Sequence, residues 1–154
     1  MVVAVLLSLS VGARAQSRPN FTGKWELVPE ASDRGGRGGP VDLGFEFSAV
    51  QDEKTLTVII TKPPMGELNK RLYLLDGSPT KESVTPDSAI VRTSTVKWDG
   101  QKLVITTTTP RPGMVPVEVI QTWSLSAPDR LAVTHTNNAT ANGSVAALGI
   151  FRKK

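Results

Sequence analysis

The chain has 154 residues, a formal net charge of +4 and no cysteine. This length suits one domain with a sizeable core, and 39% hydrophobic with 21% charged residues is typical of a globular protein. Basic residues are scattered along the chain, and neither a helix-turn-helix pattern nor a base-stacking motif is present, so we expect no nucleic-acid binding. The lack of cysteine excludes disulfides and thiolate chemistry.

The N-terminus, residues 1–15, has the features of an export signal. An apolar run from Val2 to Val11 has the length of a signal-peptide core, and Ala13-Arg14-Ala15 fits the cleavage rule, which makes Gln16 the expected mature N-terminus. The run is too short to span a bilayer, and the alternative is a buried N-terminal strand or helix. We therefore predict a signal peptide at 1–15, a single domain at 16–154, and a periplasmic or secreted bacterial protein.

Short segments of alternating apolar and polar residues, separated by Gly, Pro, Asp and Asn, follow from Phe21 onward and predict strands. The predicted strands are Phe21–Val28, Gly44–Val50, Thr55–Thr61, Lys70–Leu75, Lys81–Val84, Ile90–Trp98, Lys102–Thr109, Pro116–Leu125, Arg130–Thr136 and Val145–Arg152. Asp76-Gly77, Asp99-Gly100 and Asn142-Gly143 are hairpin dipeptides that can supply a positive φ. Short connections place consecutive strands side by side, so the sequence predicts an all-β, antiparallel up-and-down barrel of about 8–10 strands.

The inner face of each predicted strand is taken to be the one that carries its largest apolar residues. This choice places the following residues in the core: Phe45, Phe47 and Ala49; Leu56, Val58 and Ile60; Leu72 and Leu74; Leu103 and Ile105. A barrel of this size either fills its interior with side chains or encloses a ligand.

Several polar residues fall in the same inward register as these apolar ones. They are Arg92, Thr107, Gln121 and His135. Polar groups buried without partners are costly, so these side chains either face water at a rim or line a cavity that uses them. In the second case they form a ligand-binding site for the carboxylate or other polar head of an amphipathic small molecule.

The first strand carries the motif Phe21-Thr22-Gly23-Lys24-Trp25-Glu26-Leu27, in which Gly23 and Trp25 share one face. Trp25 is either a plug for the narrow end of a barrel or an ordinary core tryptophan. The motif resembles the Gly-x-Trp motif of the calycins, the superfamily of lipocalins and fatty-acid-binding proteins. Ile150-Phe151-Arg152 resembles the last-strand basic residue that packs across that tryptophan in lipocalins.

Two later segments, Trp98–Leu103 and Gln121–Ser126, look like the paired late strands of small exported lipocalin-like bacterial proteins. The resemblance implies a lipocalin-like (calycin) barrel with a hydrophobic or amphipathic ligand. It also implies a structural barrel plug made by Gly23, Trp25 and Arg152, in which a guanidinium over the indole would add a cation–π contact.

Motifs for catalysis are missing from the sequence. His135 is the only histidine, and no nucleophile elbow, zinc-binding helix or P-loop is present. Carboxylate pairs such as Asp52-Glu53 fall at turns, where solvation rather than acid–base chemistry is expected. We therefore predict no enzyme activity, no metal and no cofactor.

The Gly-rich segment between the first two predicted strands is the remaining feature that could point to a function. Arg34 to Gly39 could cradle an anion with backbone amides and guanidinium groups, or could be a lid or surface loop. A non-enzymatic protein-interaction or inhibitor module is the alternative to small-molecule binding. It would act through three loops rich in Pro, Gly and Arg: Pro29–Asp42, Thr61–Gly66 and Thr109–Pro116.

Overall fold

Ten antiparallel strands make up nearly all of the regular structure in the computed structural model, which describes residues 17–33, 43–62, 69–137 and 145–154. The strands are β1 (Gly23–Leu27), β2 (Glu46–Gln51), β3 (Thr55–Ile60), β4 (Lys70–Leu74), β5 (Thr80–Ser83), β6 (Val91–Asp99), β7 (Lys102–Arg111), β8 (Met114–Ala127), β9 (Arg130–Asn137) and β10 (Val145–Lys153). A 3-10 helix covers Pro29–Ala31. The all-β prediction is confirmed, because the strands form a single up-and-down sheet.

The sheet order is β4-β3-β2-β1-β10-β9-β8-β7-β6-β5. The first strand therefore pairs with the last, and the sheet curls until its two edges, β4 and β5, approach each other. β4 lies beside β5 and β6 but forms no hydrogen-bonded ladder with either within the described ranges. The result is a nearly closed barrel with one seam, at β4 and β5.

Connections at the two ends of the barrel differ in length. The turns after β2, β4, β6 and β8 are short, and Gly100 supplies a φ of 57° in the β6–β7 turn, as its dipeptide predicts. The connections after β1, β3, β5 and β9 are longer and lie at the opposite end, because consecutive strands run in opposite directions. We call these the tight-turn end and the loop end.

The β7–β8 hairpin is longer than the sequence predicts. β8 begins at Met114 rather than at Pro116, and the register shifts between Thr109 and Arg111. Proline cannot donate to a ladder and is tolerated at bulges and exposed strand ends. Pro110 and Pro116 both lie between the pairs Thr109↔Val117 and Arg111↔Met114, where the ladder is already irregular.

The inner faces of β2, β3 and β7 carry the apolar residues predicted for them, with three exceptions elsewhere. Phe45 precedes β2 and is exposed, and Leu72 and Leu74, which were predicted as core, lie on the outer face of β4. On β4 the inner face belongs to Arg71 and Tyr73, because their Cα partners on β3, Val58 and Leu56, are buried. Directly paired residues share a face, so the β3 register overrides the apolar pattern of β4.

Some sequence predictions lie outside the described residues. These are the signal peptide at 1–15, the anion cradle at Arg34–Gly39 and the turn Asn142-Gly143. None of the helices in the described ranges is long and apolar enough to cross a membrane.

Candidate ligand-binding site

Aromatic rings pack against one another across the barrel interior. The group, which we call the aromatic floor, comprises Phe21, Trp25, Phe47, Trp98, Trp123 and Phe151. Phe21 and Phe47 each form an edge-to-face pair with Trp123, with ring centroids 5.6 Å apart. Phe21 also stacks on Trp98, which directly precedes the β6–β7 turn at the tight-turn end. Edge-to-face and stacked contacts of this kind add to the area that the rings bury.

Trp25 is fully buried, and its indole nitrogen donates to the backbone oxygen of Phe21 over 2.9 Å. The ammonium group of Lys153 lies over its ring, with the nitrogen 5.6 Å from the ring centroid. Arg152, which the sequence predicts over this ring, lies on the outer face instead, where its guanidinium pairs with Glu26 at 3.0 Å. The alternation of β10 explains the difference, because Lys153 is the direct partner of Trp25 and Arg152 is the partner of Glu26.

Gly23 makes room for that lysine. A Cβ atom at Gly23 would lie 2.5 Å from Cε of Lys153, so a larger residue would displace the lysine stem. The space left by Gly23 is therefore occupied by Lys153 rather than by the indole of Trp25. Gly23 and Trp25 of the predicted plug lie close together near the tight-turn end of the barrel. Lys153 occupies the position over the ring that was predicted for Arg152.

The four residues predicted to bind a ligand, Arg92, Thr107, Gln121 and His135, occupy four neighbouring strands, β6 to β9. Arg92 and Gln121 are buried, whereas Thr107 and His135 are half-buried. Each of the four lies an even number of positions from a buried core residue of its own strand, so it is on the same face as that residue. The structure thus places them along one inner surface, and whether they hold a ligand stays a prediction.

Cross-strand pairing shows which of the four are close. Gln121 and His135 are direct Cα partners, and Gln121 pairs on its other side with Ile105. The Gln121 side-chain oxygen accepts a 3.1 Å hydrogen bond from the Trp123 indole, which fixes the amide beside the aromatic floor. Thr107 lies one inward position further along β7 than Ile105, toward the loop end, so three of the four residues form one patch.

Thr107 connects this patch to β6. Its hydroxyl and that of Ser94 lie 2.8 Å apart, and either can donate. Ser94 is buried and is the next inward residue after Arg92 on the same strand. The hydrogen-bonded hydroxyls of Ser94 and Thr107 thus lie between Arg92 on β6 and Gln121 on β8.

Two buried polar residues of the interior were missed by the sequence reading. Arg71 and Tyr73 are each only 3% exposed and lie on the inner face of β4. The signal that could have identified them is the pairing of β4 with β3, since Leu56 and Val58 were correctly predicted as core. Assigning β4 from its own apolar residues instead reversed its two faces.

At the seam of the barrel β4 lies beside β5 and β6. We call four residues of these strands the seam cluster: Arg71, Tyr73, Glu82 and Arg92. Arg92 Nε lies 2.7 Å from Oε1 of Glu82, its direct Cα partner. Burial raises the pKa of the Tyr73 hydroxyl, while the charge of Arg71 and a side-chain hydrogen bond from Arg71 oppose that rise. The charge of Glu82 adds to the rise in the pKa of Tyr73, and the charge of Arg92 opposes it.

Six of the polar residues named above lie on the halves of their strands that face the loop end: Arg71, Glu82, Arg92, Ser94, Thr107 and His135. Tyr73 and Gln121 lie just past the middle of their strands, toward the tight-turn end. Together all eight form a polar band above the aromatic floor, made of Arg71, Tyr73, Glu82, Arg92, Ser94, Thr107, Gln121 and His135. Such an arrangement can orient a molecule that has an apolar body and a polar or anionic head.

A separate depression of about 250 Å³ lies at the start of β2 and the end of β3, and its lining includes Phe45, Glu46, Thr61 and Lys62. Phe45 and Lys62 are exposed, so this depression belongs to the rim at the loop end rather than to the polar band.

Comparison with known proteins supports the architecture. The chain is similar to the fluorescent protein UnaG, as seen in a crystal structure of one of its mutants, with a TM-score of 0.58 and 23% sequence identity. The similarity covers 87% of this chain and 96% of that chain. Neither the protein-family models nor the curated proteins give a match to this sequence. The shared feature is the fold, an antiparallel up-and-down near-barrel.

Proposed function

We propose that this protein binds a hydrophobic or amphipathic small molecule inside its barrel, and that it does so without catalysis, metal or cofactor. The observation that carries the proposal is the burial of Arg71, Arg92, Ser94 and Gln121 within an otherwise apolar interior. Burying four polar side chains in one interior costs stability relative to apolar residues of similar volume. A function that uses them gives a reason for their presence.

The binding role fits the layout of the interior. The aromatic floor offers apolar area for a ligand body, and the polar band offers donors for its head, including the Tyr73 hydroxyl. The loop end provides the route of entry in this proposal, because four of the five connections there, all except the tight β7–β8 turn, are longer than the turns at the other end.

We also propose that the protein is exported from the cytoplasm. The apolar run and cleavage signal in residues 1–15 support secretion across the inner membrane of a bacterium, with a mature chain that begins at Gln16. Mass spectrometry of the protein recovered from a periplasmic extract checks this directly. An intact N-terminus, or recovery only with the cytoplasm, would contradict export.

Binding is tested first by native mass spectrometry of the purified protein, which would show an added mass from a copurifying lipid. Added fatty acids and apolar fluorophores should then raise the melting temperature in a concentration-dependent way, because a ligand that binds only the folded state stabilises it. Arg92→Ala should weaken the binding of an acidic ligand. Lys97→Ala on the outer face of the same strand is the matched control and should leave binding unchanged.

A protein-interaction module remains the second candidate, favoured by the tip of the β7–β8 hairpin. Met114 and Val115 at this tip are 67% and 82% exposed, and Arg111 lies beside them. Exposed apolar residues on a projecting loop suit a contact with a protein partner. The candidate predicts that Met114→Ser with Val115→Ser abolishes recovery of a specific partner from periplasmic extract while the affinity for apolar fluorophores is kept.

A further inference from the structure

Along the described part of the barrel wall, the seam is where two neighbouring strand edges face each other without a backbone ladder. β4 and β5 lie side by side there, and residues 75–79 join them at the tight-turn end. Residues 69–99, which include both edges, all belong to the described ranges. An unpaired strand edge can accept another strand, so each of these two edges is able to form a further ladder.

The backbone of β4 directs unpaired groups into the seam. The N–H of Leu75 donates to the carbonyl of Lys54, which shows that the odd-numbered residues of β4 form the hydrogen bonds to β3. Hydrogen bonding alternates along an antiparallel pair, so the N–H and C=O groups of Lys70 and Leu72 point away from β3. Neither residue has a backbone partner across the seam within the described chain.

The backbone of β5 does the same from the other side. The N–H of Val84 donates to the carbonyl of Ile90, so the even-numbered residues of β5 form the hydrogen bonds to β6. The N–H and C=O groups of Lys81 and Ser83 therefore point toward β4. Each edge thus presents two residues whose backbone groups are oriented toward the opposite edge.

One register joins the two edges without a conflict of faces. It pairs Leu72 with Lys81 and Lys70 with Ser83. The alternation of burial along β4, and the pairing of Glu82 with the buried Arg92, place these four residues on the outer face of their strands. Residues that are directly paired must share a face, and this register meets that condition along the whole seam.

The inner face and the connection fit the same register. Arg71 comes to lie opposite Glu82, and opposite charges at directly paired positions stabilise a sheet. Pro79, which has no N–H, comes to lie opposite Leu74, whose carbonyl accepts from the N–H of Gly77 at 3.4 Å. The position that cannot donate to the new ladder is therefore one where the opposite carbonyl has another donor.

The strand best placed to pair with β4 is β5 itself. Only residues 75–79 separate the two strands along the chain, so each edge is present at a high effective concentration for the other. A strand from another protein would have to displace this tethered neighbour. The two edges of the seam are therefore the favoured partners of each other.

We propose that β4 and β5 close into a ladder in solution, with Leu72 opposite Lys81 and Lys70 opposite Ser83, and that this closure is a gate of the barrel. Lys70 and Ser83 lie at the loop end, whereas the connection between the two strands lies at the tight-turn end. Opening of the seam therefore widens the mouth of the barrel, and closure narrows it. The effect on ligand release rests on the proposed binding function, whereas the closure itself does not.

Disulfide trapping tests the closure, because the chain has no cysteine of its own. The double variant Leu72→Cys with Lys81→Cys places two thiols at directly paired positions, where Cα atoms lie about 5.5 Å apart, within the range of a disulfide. Leu72→Cys with Ser83→Cys is the control, since those positions lie diagonally, about 7–8 Å apart. Under mild oxidation we expect the first pair to lose its free thiols about tenfold faster than the control pair.

Equal rates, or a faster loss of thiols in the control pair, would overturn the ladder and its register. Amide hydrogen exchange in the wild-type protein provides a second test if a double variant does not fold. Closure predicts that the amides of Leu72 and Lys81 exchange about tenfold more slowly than in an unstructured peptide. Exchange at the rate of an unstructured peptide would overturn the closure as well.

Release of the uncharged fluorescent probe N-phenyl-1-naphthylamine tests the gate. Its dissociation rate is measured in the variant Leu72→Cys with Lys81→Cys before and after oxidation, and it should fall about tenfold when the disulfide holds the seam closed. Val50→Cys with Thr57→Cys is the matched control, because these residues are direct partners on β2 and β3, away from the seam. Its disulfide should leave the release rate unchanged.

The results separate the gate from the function beneath it. An unchanged release rate after cross-linking of the seam would overturn the gate and leave interior binding intact. Equal slowing by the control disulfide would overturn the gate too. Failure of the probe to bind the wild-type protein would instead overturn the proposed binding function, and the gate with it.

Discussion

The ammonium group of Lys153 lies over the ring of Trp25, with its nitrogen 5.6 Å from the ring centroid, and the stem of the lysine fills the space left by Gly23. Lys153 and Trp25 are direct partners across the β1–β10 pairing that joins the two ends of the chain. A lysine near the end of the last strand thus covers the tryptophan of the first.

This contact predicts that Lys153→Met shifts the Trp25 indole N–H resonance in a ¹H–¹⁵N spectrum, because a cation over the ring perturbs its electronic environment. Arg152→Met is the matched control on the neighbouring position and should leave that resonance in place, since its partner is Glu26. The opposite pattern would show that Arg152 covers the ring.

Trp25 should also be a large contributor to stability. Trp25→Ala is expected to lower the free energy of unfolding by about 3–5 kcal/mol, because a fully buried indole is replaced by a cavity. Trp25→Phe keeps a ring but loses the donor to Phe21, so its cost should be about 1–2 kcal/mol. Urea denaturation measures both, and an unchanged midpoint for Trp25→Ala would remove its structural role.

The hydroxyl pair of Ser94 and Thr107 should show measurable coupling. A double-mutant cycle with Ser94→Ala and Thr107→Val is expected to give a coupling free energy of about 0.5–1.5 kcal/mol, from the 2.8 Å hydrogen bond in the interior. Thr95 and Thr106 are Cα partners on the outer face of the same two strands and provide the control cycle. Coupling no larger than that of the control would mean that the hydroxyls do not interact.

Asp52 should make stability depend on pH at the β2–β3 turn. Its carboxylate accepts backbone hydrogen bonds from Lys54 and Thr55 and a further one from the Thr55 hydroxyl, which together lower the pKa of Asp52 below its ordinary value of 3.8. A lowered folded-state pKa means that the stabilisation is complete above the unfolded-state value and is lost as the pH falls through the folded-state value.

Asp52→Asn, which mimics the protonated form, is therefore expected to be less stable than wild type at pH 7. The difference should shrink as the pH falls below about 4. Denaturation curves at several pH values measure the difference, with Asp87→Asn as a control at an exposed aspartate. A difference that stays constant down to strongly acidic pH would contradict the role of the ionised carboxylate.

The sequence predicted the strands well because local chemistry sets them. Alternating apolar residues and hairpin dipeptides such as Asp99-Gly100 depend only on neighbours in the chain, and the ten predicted segments correspond to the ten observed strands. Errors fall at strand ends, as at Pro116, where pairing with the opposite strand decides how far a hairpin extends.

The candidate site was predicted only in part. The inward positions of Arg92 and Gln121 follow from the alternation of long strands with strongly apolar neighbours. Arg71 and Tyr73 were missed because β4 is a short edge strand whose apolar residue Leu72 points outward. Glu82 was missed as well, since its ion pair with Arg92 depends on the pairing of β5 with β6.

The sequence by itself determined the fold class, the strand order along the chain and the burial of Trp25, because backbone propensity and side-chain alternation are local properties. Only the tertiary structure decided which cation covers that tryptophan and which charges meet at the seam. Both depend on the register between strands far apart in sequence, and a shift of one residue exchanges the inner face for the outer one. Barrel closure fixes that register, and with it the chemistry of the interior.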